Sequence, residues 1–419
     1  MISHQFFKSN MIPLSLRKFF FLILIIATII SSSISSQAAS IAFSWLPNSE
    51  PNLMGYRIHI GFESRNYENY VDVDLPTLSA DGTVIYELIN LTPETNYYFA
   101  ATAYDSIGIE SEYSQEIQWT SPPAIEKDFT GNGRADILLK DYSSGELLLS
   151  SLDANLTPSN AIIEDLNLDW SVESIADFNG DGKADILLRH NTYGNLWLYE
   201  MDGNSITDSN LIGGINFNWS IAGVSDFNGD KKADILLRNK IYGNLWLYEM
   251  DGHSIIADNS VSGLNLNWLI EGVADFNGDD KTDILIRHNI WGTLCLYEMN
   301  GPAIIAEHSI DAINLDWDII GTSDFDQDGD ADILIRNTLW GGLYLYEINA
   351  NTIASKNNIS GFNLEWDFIN LADYNGDAKA DILFLDNETN SLWVSVMNAN
   401  VILNKINLFD LNQGWKVER

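Results

Sequence analysis

The stretch "DFNGDGKADILLRH" (Asp177–His190) has aspartates at its first, fifth and ninth positions and then continues directly as an apolar segment. Gly180 and Gly182 allow the turn conformations that direct side-chain oxygens inward. Carboxylates at this density repel one another unless a cation joins them, and a hard dication accepts six to eight oxygen ligands. The stretch therefore predicts a metal-binding loop that leads into a β-strand.

The same pattern returns every 49 residues through the larger part of the chain. Acidic loops 1 to 6 begin at Asp128, Asp177, Asp226, Asp275, Asp324 and Asp373. A tryptophan recurs in one frame at Trp170, Trp219, Trp268, Trp317, Trp366 and Trp415. Repeats of this length, with alternating segments for about four strands each, are typical of β-propeller blades. We expect the tryptophans to pack between blades.

The two ends of the repeat array are complementary. The first copy has Ser121 where the others have the tryptophan, and the last copy ends with Trp415 in "WKVER", with no acidic loop after it. A strand missing at the start and a strand left over at the end can complete one blade, and a closed ring leaves no long edge strand exposed. We therefore predict a six-bladed β-propeller closed by the C-terminal strand; a linear stack is the alternative.

The acidic loop resembles the calcium loop of FG-GAP and VCBS-type repeats of integrin-alpha-like proteins, with the pattern Asp-x-Asp/Asn-x-Asp-Gly-x-x-Asp. The resemblance implies side-chain ligands at the first, third, fifth and ninth positions, a backbone carbonyl at the seventh, and up to six structural Ca²⁺ ions. Flexible carboxylate and carbonyl ligation suits calcium better than magnesium.

The ligands implied by this resemblance follow the repeat. Loop 1 would use Asp128, Thr130, Asn132 and Asp136, and loop 2 Asp177, Asn179, Asp181, the carbonyl of Lys183 and Asp185. Loops 3 and 4 would use Asp226, Asn228, Asp230 and Asp234, and Asp275, Asn277, Asp279 and Asp283. Loops 5 and 6 would use Asp324, Asp326, Asp328 and Asp332, and Asp373, Asn375, Asp377 and Asp381. Loop 1 departs from the pattern because it offers only two carboxylates.

Residues 40–121 have a different pattern, with short alternating segments such as "IAFSWL" and "NYYFAATAY". Such segments predict an antiparallel sandwich. The region resembles a fibronectin type III domain: Trp45 and Tyr56 stand at the positions of two buried aromatic residues, and "LTPETNYYFAATA" matches a family run through Leu91, Pro93, Thr95 and Tyr97. The resemblance implies an immunoglobulin-like spacer or binding module, followed by the repeats over residues 122–419.

The amino-terminal segment predicts export. Residues 1–38 contain no acidic residue, and basic residues precede the apolar run "FFFLILIIATII" (Phe19–Ile30) and a stretch of small residues. These are the parts of a signal peptide, with cleavage expected after Ala38. The run is shorter than the ~20 residues of a membrane span. We expect a secreted, cell-surface or periplasmic protein without stable membrane insertion; an uncleaved anchor is the alternative.

The overall composition limits the partners. A net charge of −37 argues against nucleic acid and anionic membranes. Cys295 is the single cysteine, so an intrachain disulfide is excluded and stability must come from packing or metal. The six histidines are scattered, and we expect each to be a surface or hydrogen-bonding residue rather than a transition-metal ligand.

A possible ligand surface is indicated by the hairpin that follows each "ILLR"-like segment. Its tip has Tyr193, Tyr242, Trp291 or Trp340, each preceded by an arginine: Arg189, Arg238, Arg287 or Arg336. Aromatic rings stack on sugars and guanidinium groups donate to hydroxyls, so these residues could form glycan sites. The alternative is that the ring packs on its neighbouring glycine and the arginine neutralises nearby carboxylates.

These observations predict a calcium-stabilised binding or adhesion protein that recognises a glycan or an extracellular protein. An extracellular glycosidase or lyase on a propeller scaffold is the alternative. Catalysis normally needs one asymmetric constellation, whereas the carboxylates of this chain are repeated six times. The sequence therefore favours a protein that is not an enzyme.

Overall fold

The computed structural model describes residues 26–27, 41–48, 52–75, 82–88, 91, 95–121 and 125–418. Every helix-or-strand element among these residues is a β-strand, which confirms the predicted all-β class. They form no helix that is long and apolar enough to cross a membrane. Most of the predicted signal peptide, including Ala38, and Pro93 of the predicted sandwich lie outside the described residues.

The chain divides into two compact units, of which the first contains Ser40–Pro122 and the second Pro123–Arg419. The strands of the first unit are β1 (Ile26–Ala27), β2 (Ile41–Trp45), β3 (Leu53–Gly61), β4 (Asn69–Asp74), β5 (Val84–Leu88), β6 (Asn96–Asp105) and β7 (Ile117–Thr120). They form two antiparallel sheets, with the strand orders β1-β2-β5 and β4-β3-β6-β7.

The core of the first unit lies between these two sheets. Trp45 of β2 packs edge-on against Tyr56 of β3, with ring centroids 5.1 Å apart. Phe43 and Phe99 make a similar edge contact across the sheets. All four side chains are buried, because alternate residues of each strand point to the same face of its sheet.

The second unit contains six four-stranded antiparallel sheets. The strands of repeats 1 to 3 are β8 (Ile137–Asp141), β9 (Glu146–Leu152), β10 (Pro158–Asp165), β11 (Trp170–Ala176), β12 (Asp185–His190), β13 (Asn195–Asp202), β14 (Ser205–Gly214), β15 (Trp219–Ser225), β16 (Asp234–Asn239), β17 (Asn244–Asp251) and β18 (Ser254–Gly263). Those of repeats 4 to 6 are β19 (Trp268–Ala274), β20 (Asp283–His288), β21 (Thr293–Asn300), β22 (Ala303–Ala312), β23 (Trp317–Ser323), β24 (Asp332–Asn337), β25 (Leu343–Asn349), β26 (Thr352–Ile359), β27 (Trp366–Ala372), β28 (Asp381–Asp386), β29 (Ser391–Asn398) and β30 (Val401–Asp410), followed by β31 (Trp415–Val417).

Five of the sheets consist of four consecutive strands, from β11-β12-β13-β14 to β27-β28-β29-β30. The remaining sheet has the order β10-β9-β8-β31. Trp415 pairs with Asp141 and Val417 with Leu139, and Glu418 N donates to Leu138 O at 2.9 Å. The segment "WKV" therefore supplies the fourth strand of the first sheet.

Burial explains how each sheet is built. The second strand, such as β12 with the sequence DILLRH, is buried along nearly all its length, because neighbouring sheets cover both of its faces. The fourth strand, such as β14, is mostly exposed and alternates polar and apolar residues. This gradient makes the first three strands the structural part of each repeat.

Apolar clusters join successive repeats. One cluster contains Phe325 of repeat 5 together with Leu371 and Ile382 of repeat 6. Another contains Leu383 and Leu392 of repeat 6 together with Ile137 of repeat 1. The hydrophobic core of the second unit is thus distributed over the junctions between sheets, and repeats 6 and 1 share a junction like the others.

Hydrogen bonds between the acidic loops follow the same succession. The main-chain N–H of the eighth loop residue donates to the carbonyl of the first residue of the preceding loop. The six bonds run from Ala184 to Asp128 (2.8 Å), Ala233 to Asp177 (2.7 Å), Thr282 to Asp226 (2.8 Å), Ala331 to Asp275 (2.7 Å), Ala380 to Asp324 (2.7 Å) and Ala135 to Asp373 (2.7 Å). The last bond returns from loop 6 to loop 1, so the series has no free end.

Candidate functional site

The acidic loops are held in shape by the aspartate at their first position. In loop 2, Asp177 Oδ1 accepts the main-chain N–H of Gly180 and Oδ2 that of Gly182, both at 2.7 Å. Both glycines have a positive φ, of 77° and 82°, in the region that L side chains rarely adopt. The carboxylate thus closes a tight loop whose shape depends on these two positions.

Other loops keep this shape without glycine at the sixth position. Lys231, Asp280 and Ala378 occupy it with φ of 68°, 62° and 63°. Their main-chain N–H groups donate to Asp226 at 2.6 Å, Asp275 at 2.8 Å and Asp373 at 2.6 Å. Non-glycine residues in this region cost of order 1 kcal/mol each and persist where surrounding contacts enforce them. The loop geometry is therefore maintained against local backbone preference.

The aspartate at the ninth position anchors each loop to its sheet. Asp185 is buried, and its Oδ2 accepts Phe178 N while its Oδ1 accepts Met201 N of β13, both at 2.9 Å. The equivalents Asp234, Asp283, Asp332 and Asp381 make the same two kinds of bond. These carboxylates have spare lone pairs that remain able to bind a cation.

Burial is the main cause of the raised pKa values of the ninth-position aspartates. It raises the pKa of Asp136, Asp185, Asp332 and Asp381 to about 8 and that of Asp234 and Asp283 to about 7, and neighbouring loop carboxylates add to the rise. A raised carboxyl pKa means that the ionised form is poorly stabilised by the protein alone. A bound cation would supply the missing stabilisation.

Loop 5 brings three carboxylates together. Asp324, Asp326 and Asp332 each offer one oxygen, and these oxygens lie within 4.8 Å of one another. Burial raises the pKa of Asp326, and the charge of Asp328 raises it further. This oxygen-only cluster fits the ligand chemistry of calcium.

Loop 1 offers fewer charges but two buried oxygens without a partner. Oδ1 of Asn132 and Oδ1 of Asp136 accept no hydrogen bond. Asp136 uses only its Oδ2, which accepts Phe129 N at 3.0 Å and Thr130 N at 3.1 Å. Burial raises the pKa of Asp128 to about 6. Unpartnered buried oxygens are costly, and both belong to the ligand set implied by the sequence.

The predicted carbonyl ligand of loop 2 has a side chain with a separate role. Lys183 Nζ donates to Asp202 Oδ1 at 2.7 Å, so the ammonium group is directed towards β13. Lys232 of loop 3 makes the same contact with Asp251 at 2.5 Å. These lysines neutralise exposed carboxylates beside the loops.

The four predicted aromatic ligand residues are exposed at the hairpin tips. Tyr193, Tyr242, Trp291 and Trp340 have 71%, 74%, 72% and 53% of their surface accessible. Each tip joins the second and third strands of a sheet, whereas each of loops 2 to 6 joins the first and second. The aromatic tips and the acidic loops therefore lie at opposite ends of the sheets.

The turns before the tryptophan strands add apolar residues at the same end. Leu168, Phe217, Leu266, Leu315 and Leu364 are all about half exposed and recur at the repeat spacing. Asn191 of the first tip donates to Leu168 O at 3.1 Å, so tip and turn are neighbours. We call the four aromatic tips and these five residues the tip face. The second group was not predicted; its signal in the sequence is one apolar residue repeated in a polar turn.

The four arginines are placed differently from the aromatic tips, and their predicted ligand role stays a prediction. Arg189 and Arg287 are only 6% and 5% exposed. Arg287 donates to the carbonyls of Trp317 at 2.7 Å and Asn314 at 2.8 Å in the next repeat. Arg238 donates to Trp268 O, and Arg336 Nη2 to Asn363 O at 2.7 Å. These bonds use the Nη groups and join successive repeats, whereas Nε of all four arginines is buried without a partner among the described residues.

Two histidines support the tips, in keeping with their expected hydrogen-bonding role. His288 Nδ1 accepts the N–H groups of Ile290 at 3.2 Å and Trp291 at 3.4 Å, and its ring stacks on Trp291 at 4.1 Å. His190 Nδ1 accepts the corresponding N–H groups of Thr192 and Tyr193. The exposed rings are therefore mounted on fixed turns.

Residues 128–188, 177–237 and 324–384 match the FG-GAP-like repeat family. The chain thus contains three FG-GAP-like repeats by sequence, and these segments carry acidic loops 1 to 3, 5 and 6. The match agrees with the resemblance inferred from the loop motif. A comparison with curated protein sequences gives no match.

Several solved structures show a general similarity. They include the dihydro-heme d1 dehydrogenase NirN, with 13% identity over 90% of this chain and 73% of that chain and a TM-score of 0.34. The Photorhabdus luminescens Tc holotoxin pore has 12% identity over 87% of this chain but 18% of that chain, with a TM-score of 0.44. Oligogalacturonate lyase of Vibrio parahaemolyticus has 8% identity over 94% and 99%, with a TM-score of 0.32. Scores this low assign no activity. The expectation of a non-enzyme stays a prediction.

Proposed function

We propose that this chain is an exported, calcium-stabilised binding protein. Its first unit would be a fibronectin type III sandwich and its second a six-bladed propeller closed by β31. The tip face would recognise a glycan or an extracellular protein. The observation that carries the binding function is the set of exposed aromatic rings, fixed on adjacent tips at one end of the sheets.

The closed ring is supported by three features at the junction of repeats 6 and 1. They are the pairing of β31 with β8, the apolar cluster shared by the two repeats, and the hydrogen bond from Ala135 N to Asp373 O. Each feature has a counterpart at the other junctions. A linear stack would leave the first and last repeats without these contacts.

The fibronectin type III assignment is supported by the strand order of the first unit. The paired strands β2 and β5 face the four-stranded sheet β4-β3-β6-β7, and Trp45 is buried between them. This is the arrangement of immunoglobulin-like sandwiches.

Calcium is supported by the loop chemistry. The oxygen cluster of Asp324, Asp326 and Asp332 and the unpartnered oxygens of Asn132 and Asp136 fit a hard cation. When bound, calcium would neutralise the loop carboxylates. The ninth-position aspartates would hold their oxygens between the ion and the third strand, and the first-position aspartates would keep the loop closed.

Export is supported by the sequence of residues 1–38 and by the repeats, because FG-GAP repeats are typical of extracellular proteins. A calcium-rich environment outside the cytoplasm would keep the loops filled. Since the single cysteine excludes intrachain disulfides, these ions would be the cross-links of the fold.

Recognition by the tip face is supported by its composition. Its exposed side chains are tyrosine, tryptophan, phenylalanine and leucine, whereas the chain as a whole is strongly acidic. Exposed apolar groups of this kind mark interaction sites. Aromatic rings on fixed turns lose little conformational entropy on binding and offer flat faces for stacking.

A glycan array probed in calcium and in chelator tests the proposal. We expect calcium-dependent binding that Trp291→Ala and Trp340→Ala each weaken about tenfold, equivalent to about 1.4 kcal/mol. Ile256→Ala is the control, because Ile256 is exposed on β18, outside the tip face.

Binding to an extracellular protein that both tryptophan variants weaken would identify a protein ligand. An affinity that neither tryptophan substitution changes would show that the recognition site lies outside the tip face. Turnover of a polysaccharide would replace the proposal by the enzyme alternative.

A further inference from the structure

A mixed cluster of ionisable side chains lies at the junction of repeats 2 and 3, away from the acidic loops and the tip face. Glu200 belongs to β13, Asp208 to β14, and His253 to the turn between β17 and β18. His253 Nδ1 lies 3.5 Å from Glu200 Oε1 and 3.9 Å from Asp208 Oδ2. The three atoms all lie within 4.8 Å of one another.

These separations suit a tetrahedral metal ion. Zinc binds imidazole nitrogen and carboxylate oxygen at about 2.0–2.2 Å, so two ligand atoms of a tetrahedral site lie about 3.4 Å apart. The observed distances from Nδ1 to the two oxygens are close to this value. The two carboxylate oxygens lie within 4.8 Å of each other, and rotation of the half-exposed Asp208 side chain would bring them to this separation.

The equivalent positions of the other repeats lack this set. Glu249 is followed by Ala257 and Pro302 in the same frame, and Glu298 by Ala306 and Asn351. There, Asn259 Nδ2 donates to Glu249 at 3.2 Å, and His308 lies 3.0 Å from Glu298. At these other junctions a neighbouring amide or imidazole already satisfies the glutamate.

At the junction of repeats 2 and 3, the Glu200 carboxylate accepts no side-chain hydrogen bond from the described residues, and the His253 imidazole lies 3.5 Å away, farther than the 3.0 Å of His308 from Glu298. Within the described residues its only side-chain partner is His253. Its carboxylate is mostly covered, and the turn at Gly252 approaches so closely that a Cβ there would lie 2.6 Å from Glu200 Oε1. Asn210 adds a polar group, with Nδ2 3.5 Å from His253 Nδ1. Two anionic side chains and one imidazole therefore converge where a cation would satisfy all three.

We propose that Glu200, Asp208 and His253 form a binding site for a divalent transition-metal ion such as Zn²⁺, distinct from the calcium loops. His253 Nδ1, Glu200 Oε1 and Asp208 Oδ2 are the ligands, and water or the amide oxygen of a rotated Asn210 takes the fourth position. The imidazole selects against calcium, which prefers ligand sets made of oxygen alone. The ion would bridge repeats 2 and 3.

Zinc titration of the purified chain in saturating calcium tests this site. We expect the parent protein to bind one more equivalent of Zn²⁺ than His253→Ala, and Glu200→Gln to lose the same equivalent. Co²⁺ should give the visible absorption of a tetrahedral site in the parent and not in His253→Ala. His308→Ala is the matched control, because His308 pairs with Glu298 alone at a similar exposed position.

Unchanged zinc stoichiometry in His253→Ala and Glu200→Gln would overturn the proposal, as would a parent protein that binds no zinc. In the second case the three side chains would be surface contacts that join repeats 2 and 3 without an ion. The urea midpoint of each variant in calcium without zinc checks folding, and we expect it to stay at the parent value because His253 is 42% exposed.

Discussion

Acidic loops 1 and 5 have the same backbone frame but different ligand sets. In loop 1, Asp128 accepts Asn132 N at 3.0 Å and Gly133 N at 2.6 Å. In loop 5, Asp324 accepts the N–H groups of Gln327 and Gly329. Loop 5 adds a cluster of three carboxylates, whereas loop 1 has two carboxylates and two unpartnered oxygens. The first-position aspartate therefore fixes the loop shape. The residues at the third, fifth and ninth positions determine how strongly each loop is expected to bind a cation.

Removal of calcium should have the largest effect. Each filled site stabilises the folded state by roughly 2.7 kcal/mol at a hundredfold excess of ion over Kd. We expect a chelator to lower the melting temperature sharply and added Ca²⁺, but not Mg²⁺, to restore it. Calorimetric titration should show that loop 5 fills before loop 1. An unchanged melting temperature in chelator would refute the calcium role.

Alanine in place of the ninth-position aspartate should have the second-largest effect, and the loss of stability should differ between loops 1 and 5. Asp332→Ala removes acceptors from Phe325 N and Ile348 N, at a cost of about 1–3 kcal/mol for each buried donor. Asp136→Ala also leaves two main-chain donors, Phe129 N and Thr130 N, without their acceptor. It removes, however, a carboxylate oxygen, Oδ1, that already lacks a hydrogen-bond partner. In chelator we therefore expect Asp332→Ala to destabilise more, measured by urea unfolding.

Asp332→Asn, which keeps one acceptor oxygen, is the control. At about pH 4, where the Asp332 carboxyl is protonated in the folded state, its stability should fall between those of the parent and Asp332→Ala. Equal losses of unfolding free energy in the two alanine variants would show that the unpartnered oxygen of Asp136 does not affect stability.

Calcium should weaken the pH dependence of stability. In chelator, the pKa of Asp136 and Asp332 in the folded state is about 8, above the unfolded value of about 3.9. The unfolded state therefore loses its protons first, and stability should fall as pH rises from about 4 to about 8. With calcium the ion binds the ionised carboxylates and lowers their pKa in the folded state, so the fall in stability over the same interval should become shallower.

Urea midpoints measured across this range, with and without calcium, check both slopes. Asp136→Asn and Asp332→Asn should each flatten the slope in chelator. A stability that rises with pH in chelator would contradict the assigned cause.

A third carboxylate in loop 1 should have the smallest effect. Thr130 occupies the position of Asp326, so Thr130→Asp gives loop 1 carboxylates at the three positions that form the loop 5 cluster. We expect roughly tenfold tighter calcium binding, equivalent to about 1.4 kcal/mol. Thr130→Asn, which reproduces the residue of loops 2 to 4 and 6, is the uncharged control. Unchanged affinity in Thr130→Asp would mean that charge count does not set the difference between the loops.

The sequence predicted the parts of the structure that repeat. The spacing of the acidic loops and tryptophans gave about four strands per repeat, and the structure has six four-stranded sheets. Trp45 and Tyr56 were expected in a core and are buried. These features depend on local alternation and on a fixed period, which are both visible along a single chain.

Interactions between repeats could not be predicted in the same way. Arg287 is adjacent to exposed tips in sequence, but its acceptors lie in the next repeat. His253 is close to Glu200 and Asp208 only because successive sheets are neighbours in space. In the sequence each histidine is far from its partners, because the residues that it contacts in space lie on other strands.

The pairing of β31 with β8 has a consequence for biosynthesis. Nearly the whole second unit separates the two strands in the chain, so synthesis delivers β8 long before its partner. Until then the first sheet presents an unpaired strand edge, which is the kind of surface that recruits other chains. Rapid emergence of the sixth repeat would protect the nascent protein from aggregation, and stop codons shortly before Trp415 would leave that edge permanently open.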